Sequence, residues 1–181
     1  MIRILILTAI AAFHTHVGLA QSVSPSNEFD ALTMPQRERD FIGIVARAQD
    51  KLGSVKTDES RRSVRIEMQI DEANFAKQTQ EAVEWVGIVQ AAGTDRDGFA
   101  WVSVEIWPGI MLSTANSREV DPRDQTLIPA GTQIYQIASR LKTGQVVEFS
   151  ANLIGGRLGT DEEMVRHPEV TVHFTSLKPT D

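Results

Sequence analysis

The side chains in this sequence that could stack, titrate or hold an ion fall into a few groups. Phe99, Trp101 and Trp107 recur at odd positions around one segment, with Ala100, Val102, Val104 and Ile106 between them. If that segment is a strand, the aromatics share one face and the aliphatics the other, and an aromatic row on an open sheet face is a stacking platform for sugar rings or bases. Arg61, Arg62 and Arg65 form the basic cluster, backed by Arg37, Arg39 and Arg47. Such a cluster suits an anion, and equally suits salt bridges to the many acids.

The remaining candidates are acids and histidines. Asp121 with Asp124, and Asp161-Glu162-Glu163, are carboxylate groups in polar stretches, and beyond residue 20 the histidines are His167 and His173. A zinc site would need both histidines to meet Glu162 or Glu163, and a loop histidine and a strand histidine are not made to converge by their spacing. No metal ligand set and no cofactor site is expected. Acid–base catalysis needs two carboxylates fixed in a cleft with displaced pKa values, which loop acids do not supply by themselves. Asp95-Arg-Asp-Gly98 resembles the start of a calcium loop, but the glycine is misplaced and position twelve lacks glutamate, so a hairpin turn is favoured. The chain holds no Gly-x-Ser-x-Gly, His-Glu-x-x-His, phosphate-binding loop or dinucleotide fingerprint. No catalytic residues are assigned.

The elements that must position these groups begin after a distinctive start. Arg3 precedes an apolar run from Ile4 to Phe13, and Gly18 and Ala20 stand where a signal peptidase reads small residues. The run is too short to cross a bilayer core of about 30 Å as a helix. Residues 1–20 are expected to be a cleaved signal peptide and 21–32, polar and serine-rich, a flexible leader. The chain is then periplasmic or secreted, with no membrane span. Zero cysteines exclude a disulfide framework, a thiol nucleophile and a thiolate metal site. Net charge is −6, and removing residues 1–20 leaves it negative, because that segment carries Arg3 and no acid. Nucleic acid, which normally meets a basic face, is an unlikely partner.

Residues 33–80 are expected to be an N-terminal helical segment. Thr33-Met-Pro-Gln36 fits a capping box, and Phe41, Ile44, Val45, Ala48 and Leu52 follow at helical spacing before Gly53. Arg37, Glu38, Arg47, Asp50 and Lys51 are assigned to the opposite, solvated side. Residues 54–80 stay open: Val64, Ile66, Met68 and Ile70 alternate as in a strand, yet Arg61 to Ala76 lacks the glycine and proline that stop a helix.

From Glu81 the pattern is strand-like, with Val83, Trp85, Gly87 and Val89 on one face and Gly87 expected to supply the kink that lets this strand serve both halves of a small barrel. A turn at Gly93–Gly98, the strand carrying Trp101, a Pro108-Gly109 turn and a third strand from Ile110 to Ala115 follow. Thr132 caps a short helix bearing Ile134, Ile137, Ala138 and Leu141. A strand through Val147 to Leu153, a glycine-rich acidic loop from Gly155 to Pro168, and a strand through Val170, Val172 and Phe174 complete the chain. Strand, strand, strand, helix, strand, strand is the order of an OB-like five-stranded barrel over residues 81–178, mainly β with helices, preceded by an amphipathic helix. Another small antiparallel α+β fold is the alternative.

The segments Trp85-Val-Gly-Ile-Val89, Thr126-Leu-Ile-Pro-Ala-Gly131 and Leu141-Lys-Thr-Gly-Gln-Val-Val-Glu-Phe-Ser150, with Leu32-Thr-Met-Pro-Gln36, resemble a set of uncharacterised exported bacterial proteins. In these a helix opening with Leu-Thr-x-x-Gln precedes a small OB-like barrel. The likeness covers residues 32–177 and implies fold more than activity. In architecture alone the chain is similar to exported bacterial OB-fold proteins of stress tolerance, without their aspartate-glycine motif entering the second and third strands.

The expectation is an exported, non-enzymatic binding or interaction module of the cell envelope, with a protein partner or a glycan as ligand. Phe99, Trp101 and Trp107 are the ligand candidates, and Arg61, Arg62 and Arg65 the anion candidates. Two other readings compete. One is a small periplasmic hydrolase, which requires Asp124, Glu162, Glu163 and His167 to converge. The other is an envelope stress protein with no small ligand. A structural role for the aromatics competes as well, because the N-terminal helix needs an apolar surface to cover.

Overall fold

The computed structural model describes residues 34–115, 126–156 and 163–180. Helix α1 (Gln36–Ser54) and helix α2 (Asp58–Gln78) form an antiparallel pair. Strands β1 (Glu81–Thr94), β2 (Ala100–Trp107) and β3 (Ile110–Ser113) follow, then helix α3 (Gln133–Ala138), strand β4 (Val146–Gly156), one helical turn α4 (Glu163–Arg166) and strand β5 (Glu169–Pro179). The strands close in the order β1-β2-β3-β5-β4. All pairings are antiparallel except β3 with β5. The expected OB-like barrel with an N-terminal helix is therefore the fold.

The residues that fill the barrel alternate as a strand with one buried face demands. Ala100, Val102, Val104 and Ile106 of β2 are buried, as are Val147, Phe149 and Ala151 of β4 and Val170, Val172 and Phe174 of β5. Helix α3 packs against β2 and β5, with Ala138 fully buried. Its start follows the expected cap, since the Thr132 hydroxyl accepts from the Tyr135 amide at 3.2 Å.

Residues 54–80 resolve as helix after a turn. The Thr57 hydroxyl accepts from the Ser60 amide, Asp58 and Glu59 occupy the first turn and Lys77 the last, in the sense that the helix dipole favours. The apparent strand alternation is two helical stripes on opposite sides. Val64, Met68 and Phe75 are buried, whereas Ile66 and Ile70 are half exposed. Spacings of four residues interleave to look like a period of two.

Several expectations are corrected. Helix α1 starts at Gln36 after Pro35, with no side-chain cap, and Thr33 lies outside the described residues. The Gln36 side chain donates to Asp40 and accepts from Arg39 instead of reaching back. Glu38, assigned to the solvated side, is fully buried. Val83 does not share the face of Trp85: a bulge between Ala82 and Trp85, with Glu84 at φ 55°, turns Val83 to solvent. Within the stretch read as loop, β4 extends to Gly156 and α4 forms, burying Val165. Residues 1–33, including the expected signal peptide, also lie outside the described residues.

β1 passes from pairing with β4 to pairing with β2 at Ile88, directly after Gly87. The irregularities of β1 fall at Ala82/Trp85 and Val89/Ala91. Gly87 lets β1 approach β2: a Cβ there would lie 2.3 Å from Val104 Cγ1 and 2.8 Å from the Glu105 carbonyl oxygen. The second contact is with backbone, so no rotamer change relieves it. Gly87→Ala is expected to lower unfolding free energy by about 1–3 kcal/mol, the usual range for overpacking. Chemical denaturation measures it, and a change within about 0.5 kcal/mol contradicts the close-approach role.

Candidate functional site

The helical pair docks on β1 and β4. The ring that receives it is Trp85, a tryptophan that carried no site assignment. Phe41 of α1 and Phe75 of α2 lie 5.7 and 6.4 Å from it, centroid to centroid, and Phe149 stands 6.5 Å away on the barrel side. The apolar surface that the N-terminal helix needs is thus supplied by the start of β1. The competing account had placed that surface on the aromatic row of β2.

That row lies on the outside of the barrel. Trp101, Ser103, Glu105 and Trp107 alternate with the buried residues of β2. Trp101 is paired with Gly93 of β1, and its indole lies over that residue: a Cβ at Gly93 would come 2.8 Å from Trp101 Cζ2 and 3.0 Å from Cε2. A side chain at position 93 would lift the ring, so glycine there sets the indole against the sheet. Phe99 is half-buried at the hairpin, where its amide donates to Asp95 Oδ1 at 2.8 Å. Trp107, at the far end of β2, is 36% exposed. Six residues of strand separate the two indoles, about 20 Å.

Between them sits a fixed carboxylate. Glu105 Oε2 accepts from Gln90 Nε2 at 2.7 Å, and Oε1 accepts from the Gly109 amide at 2.8 Å. Gln90 is placed by the bulge between Val89 and Ala91, a signal invisible to a reading by strict alternation. On β3, Met111 pairs with Glu105 and Ser113 with Ser103; Ser113 is buried, and its hydroxyl donates to Glu169 Oε1 at 2.5 Å. The outward positions of β2 and β3 therefore carry indole, hydroxyl, thioether and carboxylate groups, and no lysine or arginine.

The basic cluster is divided. Arg61 and Arg65 are half-buried and line a shallow groove of about 230 Å³ with Leu52 and Asp58. Arg62 is exposed and is not part of that lining. Asp58 offsets part of the positive charge in the groove. Arg37 and Arg39 belong to the other end of the antiparallel pair, near Phe41 and Phe75, about 20 Å along the helix from Leu52. The six arginines do not form one anion site.

The hydrolase reading finds no assembled trio among the described residues. Asp124 and Glu162 lie outside them, and so does the side chain of Glu163, which opens α4. His167 is exposed and sits beside Gly109, while His173 is half-buried and pairs with Asn152 of β4. Among the described residues no three acids or histidines gather as a metal site. No helix among the described residues is long and apolar enough to cross a membrane.

A second groove, of about 360 Å³, runs between α3 and the end of β5, lined by Gln133, Gln136, Ile137, Arg140, Leu141 and Pro179. Sequence reading passed over it, because α3 and the end of β5 meet only through the barrel's closure. No protein-family model, curated protein or solved structure matches this chain.

Proposed function

We propose that this chain is an exported, non-enzymatic binding module of the cell envelope, and that the outer face of β2 and β3 binds a neutral glycan. The observation that carries the reading is the pairing of Trp101, set against Gly93, with a carboxylate whose two oxygens are already held by Gln90 and Gly109. Indole faces take the apolar faces of sugar rings, and Glu105 and Ser103 offer partners for sugar hydroxyls between the two indoles. The face carries Glu105 and Glu169 and no cation on β2 or β3, which opposes a polyanion such as nucleic acid. Burial of Trp85 under the helices supports a ligand role for the other two tryptophans, since the structural demand for an aromatic is met elsewhere.

Titration of the protein with a β-1,4-linked N-acetylglucosamine hexamer, followed by tryptophan emission, tests the reading. A saturable change is expected. Trp101→Ala and Trp107→Ala should each weaken it about five- to 150-fold, given about 1–3 kcal/mol for one stacking contact, with cooperative unfolding retained. An oligothymidylate of similar length should produce no saturation at physiological salt. If neither the hexamer nor a glucose hexamer saturates the signal, or if both variants bind as well as the parent, the assignment fails.

A further inference from the structure

The exposed face of α2 carries two isoleucines that its own fold leaves in solvent. Ile66 and Ile70 are 50% and 54% exposed, one turn apart. The same stripe runs from Glu59 at one end through Ser63 and Ala73 to Lys77 at the other, all exposed. We propose that this stripe is a self-association surface on which a second copy of the chain packs its own α2, antiparallel, about a two-fold axis level with Met68.

Charge complementarity selects this occupant and this direction. With the axis at that level, Ile66 of one copy faces Ile70 of the other. Ser63 then faces Ala73, small against small, which lets the helices approach closely. Glu59 faces Lys77 at both ends of the contact. Each pair forms twice, as a two-fold interface requires. A parallel arrangement would set Glu59 against Glu59 and Lys77 against Lys77. On one helix the two charges stand 18 positions apart, five turns, so they reach the same side without being able to meet each other. One helix face is a small contact against the roughly 800 Å² per partner of a standard interface, so the dimer is weak and forms in the micromolar range or above.

Sedimentation equilibrium of the whole chain, as purified from the cell, tests this at concentrations up to about 1 mM. A monomer–dimer equilibrium is expected. Ile66→Ser combined with Ile70→Ser should abolish it while leaving the circular dichroism unchanged, since both side chains are half exposed. Glu59→Lys alone and Lys77→Glu alone should each weaken dimerisation about tenfold, because two attractive pairs become repulsive. The double reversal, Glu59→Lys with Lys77→Glu, should restore it to within about threefold of the parent. Only a copy of the same helix is repaired by exchanging its own charges. A monomer at every concentration overturns the proposal and leaves the stripe to another occupant, such as the segment before α1. A dimer that survives the isoleucine changes, or one that the double reversal does not restore, overturns it as well.

Discussion

Replacing Trp85 with alanine is expected to cost about 3–5 kcal/mol of unfolding free energy. Trp85 is fully buried and joins two bodies of apolar side chains. Its ring meets Phe41 and Phe75 on the helical side at 5.7 and 6.4 Å, and Phe149 on the barrel side at 6.5 Å. Phe149 passes the contact on to Phe174 at 5.4 Å, edge to face. Tilted and edge-to-face rings at these separations gain about 0.5–1.5 kcal/mol per pair beyond area burial. Three such pairs end on the indole, and its removal leaves a cavity at the joint between helices and barrel, where neither side can collapse without moving a whole element.

The measurement is a thermal or denaturant transition compared with Trp101→Ala and Trp107→Ala, each followed by fluorescence and by helical circular dichroism. At this chain length a loss of 3–5 kcal/mol lowers the melting temperature by about 6–20 °C. The Trp85 variant should also lose helical signal before the barrel unfolds, because the joint is what couples the two. Coincident transitions with a loss under about 1 kcal/mol contradict a joint at this position. Trp85→Phe should recover most of the loss, since it keeps an aromatic partner for Phe41 and Phe75.

How far the sequence foretold this depends on whether one element or two decide a side chain's surroundings. The β2 alternation from Ala100 to Trp107 predicts its two faces, because a strand with one side in a barrel follows a period of two. Thr132 predicts the start of α3, because a cap is local. Helix α2 was ambiguous for a reason that became informative: Ile66 and Ile70 break the amphipathic pattern by being apolar on the solvent side. Val83 went to the wrong face because a bulge shifts every position before it by one, and bulges leave little trace in composition. Trp85 and Trp101 are equivalent as letters. Which is joint and which is surface depends on where the helical pair docks, a long-range fact.

Glu38 is the sharpest case, and its spacing did carry a signal. It precedes Phe41 by three and Val45 by seven, on the same stripe as Ala48 and Leu52, all buried. A reading by residue type placed it in solvent. In the structure both carboxylate oxygens face the Val86 amide, which donates to them at 3.3 and 3.2 Å. The acceptor is needed because β1 pairs with β2 only from Ile88 onward, so the amide of Val86 has no strand carbonyl on that side. Glu38 thereby pins α1 to β1 one residue from Trp85.

Protein stability is expected to fall as pH rises from about 4.5 to 8, and Glu38→Gln to remove most of that fall. Burial pushes the Glu38 carboxyl up to about 8, and the Val86 amide and Arg39 counter it only in part. In this window the unfolded chain has already lost the proton that the folded chain keeps. The stabilising difference is complete below the unfolded value near 4.5 and is lost as pH climbs through 8. A shift of this size corresponds to stability on the order of 4–5 kcal/mol across the window. Glutamine keeps a carbonyl for the Val86 amide and cannot ionise, so the variant should be as stable as the parent or slightly less so at pH 5, and clearly more stable at pH 9. Glu72, half-buried on α2 and raised to about 7 by desolvation, leaves a smaller residual slope in the variant. Urea midpoints across this pH range decide the matter: curves that cross between pH 5 and 9 assign the slope to Glu38, and parallel curves place it elsewhere. The direction is itself diagnostic, because a carboxylate held by a salt bridge strengthens a fold as pH rises, whereas one buried for the sake of a single backbone amide weakens it.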